Sequence, residues 1–439
     1  QALKKRNNLI AHAPTGLGKT AATVPSSLAY ALEKDKRVFF VTPRHSQHEI
    51  AVETLKEIRE EHQKSFVAVD LIGKQWLCEG EQGANVYLEG EESDCPRHDN
   101  TYTDQHQLTE RAQQKKAEIK REILRAEEVK ERCDKVCPYD ILMHTAADAD
   151  IVIGDYFHIF HPGVREALFS KGSINLQDSI IIVDEAHNLA DRTRSLNSAH
   201  LNEKMLKNAA TEAAKYGYYD DEERAKQLRQ ELQRLARNEL GMERETQIGQ
   251  DDFTQRVTNI RDYDSLIADF EAVAKEAQED GEDSDCGEIA NFLDRWRGTD
   301  HGFTRILKKV QRSSGETYIS LSYRCLDPQY TTKEVIRQSH TTIAMSGTLT
   351  PLHMYQDILG FPDNRTYTEK YGSPFPEENK LNLLVDQVTT KYKERDEEQY
   401  RKIAWYIKKS SEHVRGNIGV FFPSYSLMHE VKDQIEDRM

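Results

Sequence analysis

The octapeptide Ala13-Pro14-Thr15-Gly16-Leu17-Gly18-Lys19-Thr20 constrains this chain more than any other stretch. It follows the apolar run Leu9-Ile10-Ala11 and precedes a helical pattern from Ala21 to Leu32. A strand, a glycine turn and a helix N-terminus succeed one another, as a phosphate-binding loop requires. Gly16 and Gly18 let the backbone beside Thr15 curl so that its N–H groups face the β- and γ-phosphates of ATP. Lys19 adds a point charge and Thr20 a hydroxyl ligand for Mg²⁺. Ala13 stands where the motif usually has its first glycine.

A second stretch, Asp184-Glu185-Ala186-His187, ends the run Ile180-Ile181-Ile182-Val183. Four consecutive β-branched residues predict a strand buried on both faces of a parallel sheet, and ligands bind at the C-terminal ends of such strands. Asp184 is placed to hold Mg²⁺ and Glu185 to polarise the attacking water, because phosphoryl transfer needs positioning and charge neutralisation more than covalent chemistry. His187 is better placed to report on the γ-phosphate than to act as a base. The two motifs, in order and each after a strand, form one split nucleotide site, with an ATP-driven motor as the expected function.

The 439 residues suffice for two or three domains with sizeable cores. There is no apolar run of about 18 residues and no signal-peptide pattern, so the expectation is a soluble, intracellular protein without a membrane partner. The formal charge of −15 argues against a chain that coats nucleic acid throughout, yet a motor can carry local basic strips. The acidic run Glu279-Asp280-Gly281-Glu282-Asp283-Ser284-Asp285 reads as a solvated loop.

Four of the six cysteines, Cys78, Cys95, Cys133 and Cys137, fall in one segment between the two nucleotide motifs. In an intracellular chain this favours thiolate ligation of iron or zinc over disulfides. Prolines follow Cys95 and Cys137, a pattern common around iron–sulfur ligands, and the spacing is not that of a compact zinc ribbon. A [4Fe–4S] cluster, a structural zinc and unliganded thiols remain the three readings. Cys286 and Cys325 read as ordinary thiols.

Strands are predicted at Val38–Val41, Phe66–Ile72, Ile151–Gly154 and Ile180–Val183, with helical patterns between them. This alternation implies a doubly wound parallel α/β sheet interrupted by insertions. The first insertion, 73–139, carries the cysteines and a charged helical stretch from Lys115 to Arg132. The second, 189–338, is helical, for example over Glu222–Leu240, with a strand at Thr317–Cys325. The sheet resumes at Thr342–Met345, and a new αβ unit with strands at Leu381–Val385 and Ile418–Phe422 opens near Ser373.

In this order the motifs resemble those of the XPD family of superfamily 2 iron–sulfur DNA helicases, of archaeal type, over nearly the whole chain. The octapeptide is similar to motif I, Thr42-Pro43-Arg44 to motif Ia and DEAH to motif II. Ser346-Gly347-Thr348 is similar to the coupling motif III, and Val420-Phe421-Phe422-Pro423-Ser424-Tyr425 to motif IV. The resemblance implies a RecA-like P-loop motor domain at 1–72, 140–188 and 339–372. It further implies an iron–sulfur insertion at 73–139, an arch at 189–338 and the start of a second RecA-like domain at 373–439. It implies Cys78, Cys95, Cys133 and Cys137 as cluster ligands, and 5′→3′ ATP-dependent unwinding. The implied partners are single-stranded and forked DNA and DNA-repair proteins. A monomer is expected, in a prokaryotic cytoplasm at the nucleoid or in a eukaryotic nucleus.

Two departures qualify the resemblance. Cys95 and Cys133 are farther apart than the family's second and third cysteines, and the chain starts just before motif I and stops after motif IV. The expectation is a fragment, feebly active alone, without the glutamine motif and the later arginine fingers. Thr42 and Arg44 are predicted to hold DNA phosphates, and Tyr156 and Phe157 either to stack on bases or to lie in the core. Trp76 is expected to pack over the cluster, and His45, His48 and His158 to be surface histidines. Two other classes stand beside the helicase: an ATPase that remodels protein–DNA complexes without separating strands, and a non-enzymatic binding module with a vestigial motor.

Overall fold

The computed structural model describes residues 1–78, 95–280, 282–311 and 317–436. Residues 79–94 of the cysteine-bearing insertion and Gly281 of the acidic run lie outside the described residues. Eleven strands are defined among the described ones: β1 Asn8–His12, β2 Arg37–Val41, β3 Ala68–Asp70, β4 Ile151–Gly154, β5 Ser179–Val183, β6 Ala199–Asn202, β7 Glu245–Gln247, β8 Phe303–Gln311, β9 Thr317–Cys325, β10 Thr341–Ser346 and β11 Thr366–Lys370. Seven form one sheet in the order β11-β1-β10-β5-β2-β4-β3, and every neighbouring pair is parallel.

The β-branched run dictates the centre of this sheet. In β5, Ile180 and Ile182 face one core layer and Ile181 and Val183 the other; Val38 and Phe40 of β2 oppose Phe39 and Val41 in the same way. Both faces are therefore covered, and each fully buried aliphatic side chain contributes about 1.5–3 kcal/mol. One layer is closed by Val24, Leu28 and Ala31 of the helix Lys19–Lys34, spaced to share one helical face, and by Ala51, Val52 and Leu55 of His45–His62.

The cysteine-bearing segment closes the opposite layer. Ala112 and Ile119 of the helix Glu110–Ile119, Val129 of Ala126–Arg132 and Ile141 and Leu142 of Pro138–Ala146 pack with Phe39, Val152 and Ile181. The charged stretch predicted as one helical run from Lys115 to Arg132 is two helices with a turn between them. That turn sends Ile123 into one core layer and its neighbour Leu124 into the other, which a continuous helix, with adjacent side chains only about 100° apart, would not do.

The second insertion builds its own core. Helices Glu203–Lys215, Tyr219–Glu239, Gln250–Ile260 and Asp285–Trp296 pack on an antiparallel sheet of order β6-β9-β8-β7. Phe253, Phe292 and Trp296 meet in it as an aromatic cluster. The buried Arg305 guanidinium donates to the carbonyls of Trp296 and Gly298 and lies 4.8 Å from the Tyr323 ring, so its charge is not left unsolvated.

Residues 1–374 form one compact unit and 375–439 another. In the latter, helices Glu397–His413 and Tyr425–Glu436 meet through Ala404, Leu427 and Val431. The strands predicted at Leu381–Val385 and Ile418–Phe422 do not form: both segments lack ladder partners among the described residues. An apolar run is only half of a strand, the other half being a neighbour to accept its N–H groups.

Candidate nucleotide site and cysteine segment

The octapeptide leaves β1 at the C-terminal edge of the sheet. Gly16 and Gly18 have φ of 89° and 69°, left-handed values that a β-carbon would strain, and Gly18 caps the helix that begins at Lys19. Thr15 to Gly18 are exposed, with Lys19 and Thr20 half-buried on the first helical turn. DEAH leaves β5 at the same edge. Asp184 is buried, its Oδ1 accepts the Glu185 N–H at 2.9 Å, and Lys19 and His187 act on its charge. Burial, partly offset by that N–H, raises its pKa above the usual carboxylate value. A buried carboxylate facing an ammonium, with a hydroxyl on the adjoining helix turn, is a donor set that fits a Mg²⁺–nucleotide.

Strand β10 lies between β1 and β5 and joins the two halves. Ala13 N–H donates to the Ser346 carbonyl at 2.9 Å, and the bare Gly347 backbone passes so close that a β-carbon there would touch Thr15 and Ala13. The Ser346 hydroxyl, fully buried, lies 3.1 Å from Glu185 Oε2, 2.7 Å from His187 Nδ1 and 3.3 Å from Thr348 Oγ1, and it accepts the Thr348 N–H at 3.2 Å. His187 Nδ1 is also 3.3 Å from Glu185 Oε2. Asp184, Glu185, His187, Ser346, Gly347 and Thr348 are thus brought together against the phosphate loop. The arrangement can bind a triphosphate, hold a water beside a carboxylate and register changes there through one hydroxyl.

The predicted DNA contacts separate. Arg44 is exposed and extended at the N-terminus of the helix His45–His62, as a phosphate contact would need. Thr42 is buried and its hydroxyl is engaged by the Gln47 side chain, which removes that side chain from a phosphate-binding role. Tyr156 is 2% exposed, and its hydroxyl donates to the Asp184 and Glu185 carbonyls, so its ring offers no stacking face. Phe157 stays at the surface beside His161, ring centroids 4.7 Å apart. Trp76 is 57% exposed and meets His45 edge-on at 5.3 Å.

His48 and His158, expected at the surface, are buried. His48 Nδ1 lies 2.6 Å from Asp70 Oδ1, and Asp70 Oδ2 accepts the Ala126 N–H at 3.0 Å, tying the helix after motif Ia to the cysteine segment. His158 accepts the Asp155 N–H at 3.2 Å, and burial depresses its pKa. Sequence reasoning missed the His48–Asp70–Ala126 network and the Tyr156 contacts because each joins residues distant along the chain, and no local spacing signals such a pair.

Cys95 and Cys137 each cap a helix that opens with proline, Pro96–Asp99 and Pro138–Ala146. Lys74 lies within electrostatic reach of Cys137, Cys78 and Cys95, and Cys78 within reach of Cys95 and Cys137. Cys133 and Cys137 are both buried; burial pushes the Cys133 thiol up to about 11, with Lys115, Glu118, Arg97 and Asp134 as charged neighbours, and burial raises the Cys137 thiol as well. Among the described residues, no group of three or more His, Cys, Asp or Glu side chains is arranged to hold a metal ion. Cys286 and Cys325 are buried in the second insertion.

The DEAD_2 family model matches residues 40–206. The ATP-dependent DNA helicase XPD of Sulfolobus acidocaldarius is 25% identical over 453 residues, covering 98% of this chain and 72% of the relative. The ATP-dependent DNA helicase CHL1 of Candida albicans is 22% identical over 352 residues, covering 67% of this chain and 40% of that protein. A solved structure titled XPD_Helicase superposes with a TM-score of 0.60 at 21% identity, covering 98% of this chain and 72% of that one, which bears out the RecA-like parallel α/β fold. Over nearly its whole length the chain is similar to XPD-type ATP-dependent DNA helicases, and the DEAD_2 family model accounts for the stretch that contains DEAH.

Proposed function

We propose that this chain couples ATP hydrolysis at the split site to 5′→3′ movement on single-stranded DNA and to the opening of forked duplexes during DNA repair. The observation that carries the reading is the Ser346 hydroxyl, which meets both Glu185 and His187 on a strand whose next residue lies against the phosphate loop. In this reading Lys19 and the loop amides hold the phosphates, Thr20 and Asp184 hold Mg²⁺, and Glu185 orients and polarises the attacking water. Bound Mg²⁺ supplies neutralisation of the phosphate charge. Ser346, Gly347 and Thr348 transmit the state of that centre along β10. Arg44 and Phe157 are the DNA contacts this structure supports; Thr42 contributes through backbone placement.

The cysteine segment is proposed to hold a [4Fe–4S] cluster through Cys78, Cys95, Cys137 and Cys133. Support comes from the thiol set itself: Cys78, Cys95 and Cys137 share the field of Lys74, and Cys95 and Cys137 each precede a proline that opens a helix. Such a cluster supplies cross-linking of the segment by metal–thiolate bonds. The protein is proposed to act as a monomer at the nucleoid or in the nucleus, with repair proteins as partners. Among the described residues no helix is long and apolar enough to cross a membrane.

Strand displacement on duplexes with a single 5′ or 3′ tail tests the motor reading. ATP-dependent separation of the 5′-tailed duplex is expected. Separation from 3′ tails alone would reverse the polarity, and DNA-dependent hydrolysis without separation would favour a remodeller of protein–DNA complexes. Iron and acid-labile sulfide on anaerobically purified protein test the cluster; four of each per chain are expected, and zinc or no metal would remove it.

A further inference from the structure

We propose that Tyr156 is a positioning residue for ATP hydrolysis, its hydroxyl fixing the peptide plane between Asp184 and Glu185 so that the Glu185 carboxylate stays aimed into the site. The proposal rests on the reading of Glu185 as the group that polarises water. Glu185 has φ 47° and ψ 41°, a left-handed conformation that costs a non-glycine residue free energy and persists only where the surroundings impose it. The peptide plane before it sets how φ is reached. Its carbonyl oxygen, that of Asp184, accepts from the Tyr156 hydroxyl at 2.5 Å, and the same hydroxyl lies 2.9 Å from the Glu185 oxygen. The Glu185 carbonyl has other donors, the N–H of Asn188 at 2.9 Å and its side-chain amide at 3.3 Å. The hold that Tyr156 alone adds is therefore the one on Asp184.

The hydroxyl is suited to this task. The Tyr156 ring is enclosed, with Phe160 edge-on at 6.5 Å, and it follows β4, two strands away from β5 across β2. Backbone bonds from Thr42 N–H to the Gly154 carbonyl and from Asp184 N–H to the Val41 carbonyl continue the ladders past the strand ends there, so both anchor points are rigid. With the plane fixed, Glu185 Oε2 meets Ser346 Oγ and His187 Nδ1. With it released, Glu185 is free to relax to a right-handed conformation that redirects its side chain.

Tyr156→Phe removes one oxygen and keeps the ring that packs in the core. In ATP hydrolysis at saturating single-stranded DNA, kcat is expected to fall about tenfold, the scale of losing a positioning hydrogen bond, with KM for ATP within about twofold and a thermal midpoint lowered by only about a few degrees. An unchanged kcat, or a loss confined to KM, would overturn the proposal. A second readout needs no turnover: the side-chain ¹⁵N resonances of His187, identified by their loss in His187→Asn. They are expected to shift in Tyr156→Phe because the Glu185 carboxylate leaves the imidazole. Unmoved His187 resonances would overturn the proposal even in a protein that hydrolyses no ATP, whereas absent turnover in the unmutated protein would count against the ATPase reading alone.

Discussion

Replacing Ser346 by alanine tests the junction of the two half-sites. The hydroxyl is fully buried, and its proton is placed for Glu185 Oε2 at 3.1 Å while its lone pairs face the Thr348 N–H and His187. A hydrogen bond to a charged group contributes about 1.5–3 kcal/mol. The Glu185 side chain is 27% exposed, so water replaces part of what is lost, and the lower end, about 1–1.5 kcal/mol, is the better figure. Realised in the transition state, that is a factor of about ten in rate. Single-turnover hydrolysis at saturating single-stranded DNA should therefore slow about tenfold in Ser346→Ala, while nucleotide affinity, which rests on the loop amides and Lys19, stays within about twofold. Slowing of less than about twofold, or a loss of affinity that matches the loss of rate, would refute the bridging role of Ser346.

Asp70→Ala leaves the buried His48 Nδ1 and the Ala126 N–H without their acceptor and should cost about 3–5 kcal/mol in urea unfolding, with earlier proteolysis of the cysteine segment; a cost under about 1 kcal/mol would show that the network is not structural. Burial, with Lys171 next, pushes the His144 imidazole down to about 4, and its Nε2 lies 3.0 Å from the Tyr102 hydroxyl. The unfolded chain then binds a proton that the folded one refuses. The His144 contribution is intact above about pH 6.5 and is lost as pH falls toward 4. Thermal melts across that window should fall more steeply for the unmutated protein than for His144→Gln, and parallel curves would contradict the assignment.

The sequence was most legible where one residue type serves one local purpose. The all-β-branched run at 180–183 specified a central strand, and two glycines before a lysine specified the loop, since each pattern carries its own geometry. Legibility failed where the partner decides the outcome. Strand β8 places Arg305 on its buried face between Phe303 and Leu307 and is held between β9 and β7, while β11 is an exposed edge strand paired with β1. Leu381–Val385 looked equally strand-like and has no ladder neighbour among the described residues. At the site, Lys19, Asp184, Glu185 and Ser346 were readable because their motifs are contiguous. Tyr156 stayed divided between a base-stacking and a core role because a strand-end aromatic has two outlets, and only the fold shows that its hydroxyl reaches the DEAH turn.

The most direct test of the split site is ATP binding and single-turnover hydrolysis measured together on the unmutated protein, Lys19→Ala and Glu185→Gln with saturating single-stranded DNA. The account predicts that Glu185→Gln holds ATP as tightly as the unmutated protein and hydrolyses it at least about a hundredfold more slowly, while Lys19→Ala loses binding. Hydrolysis by Glu185→Gln at the unmutated rate, or full ATP affinity in Lys19→Ala, would contradict it.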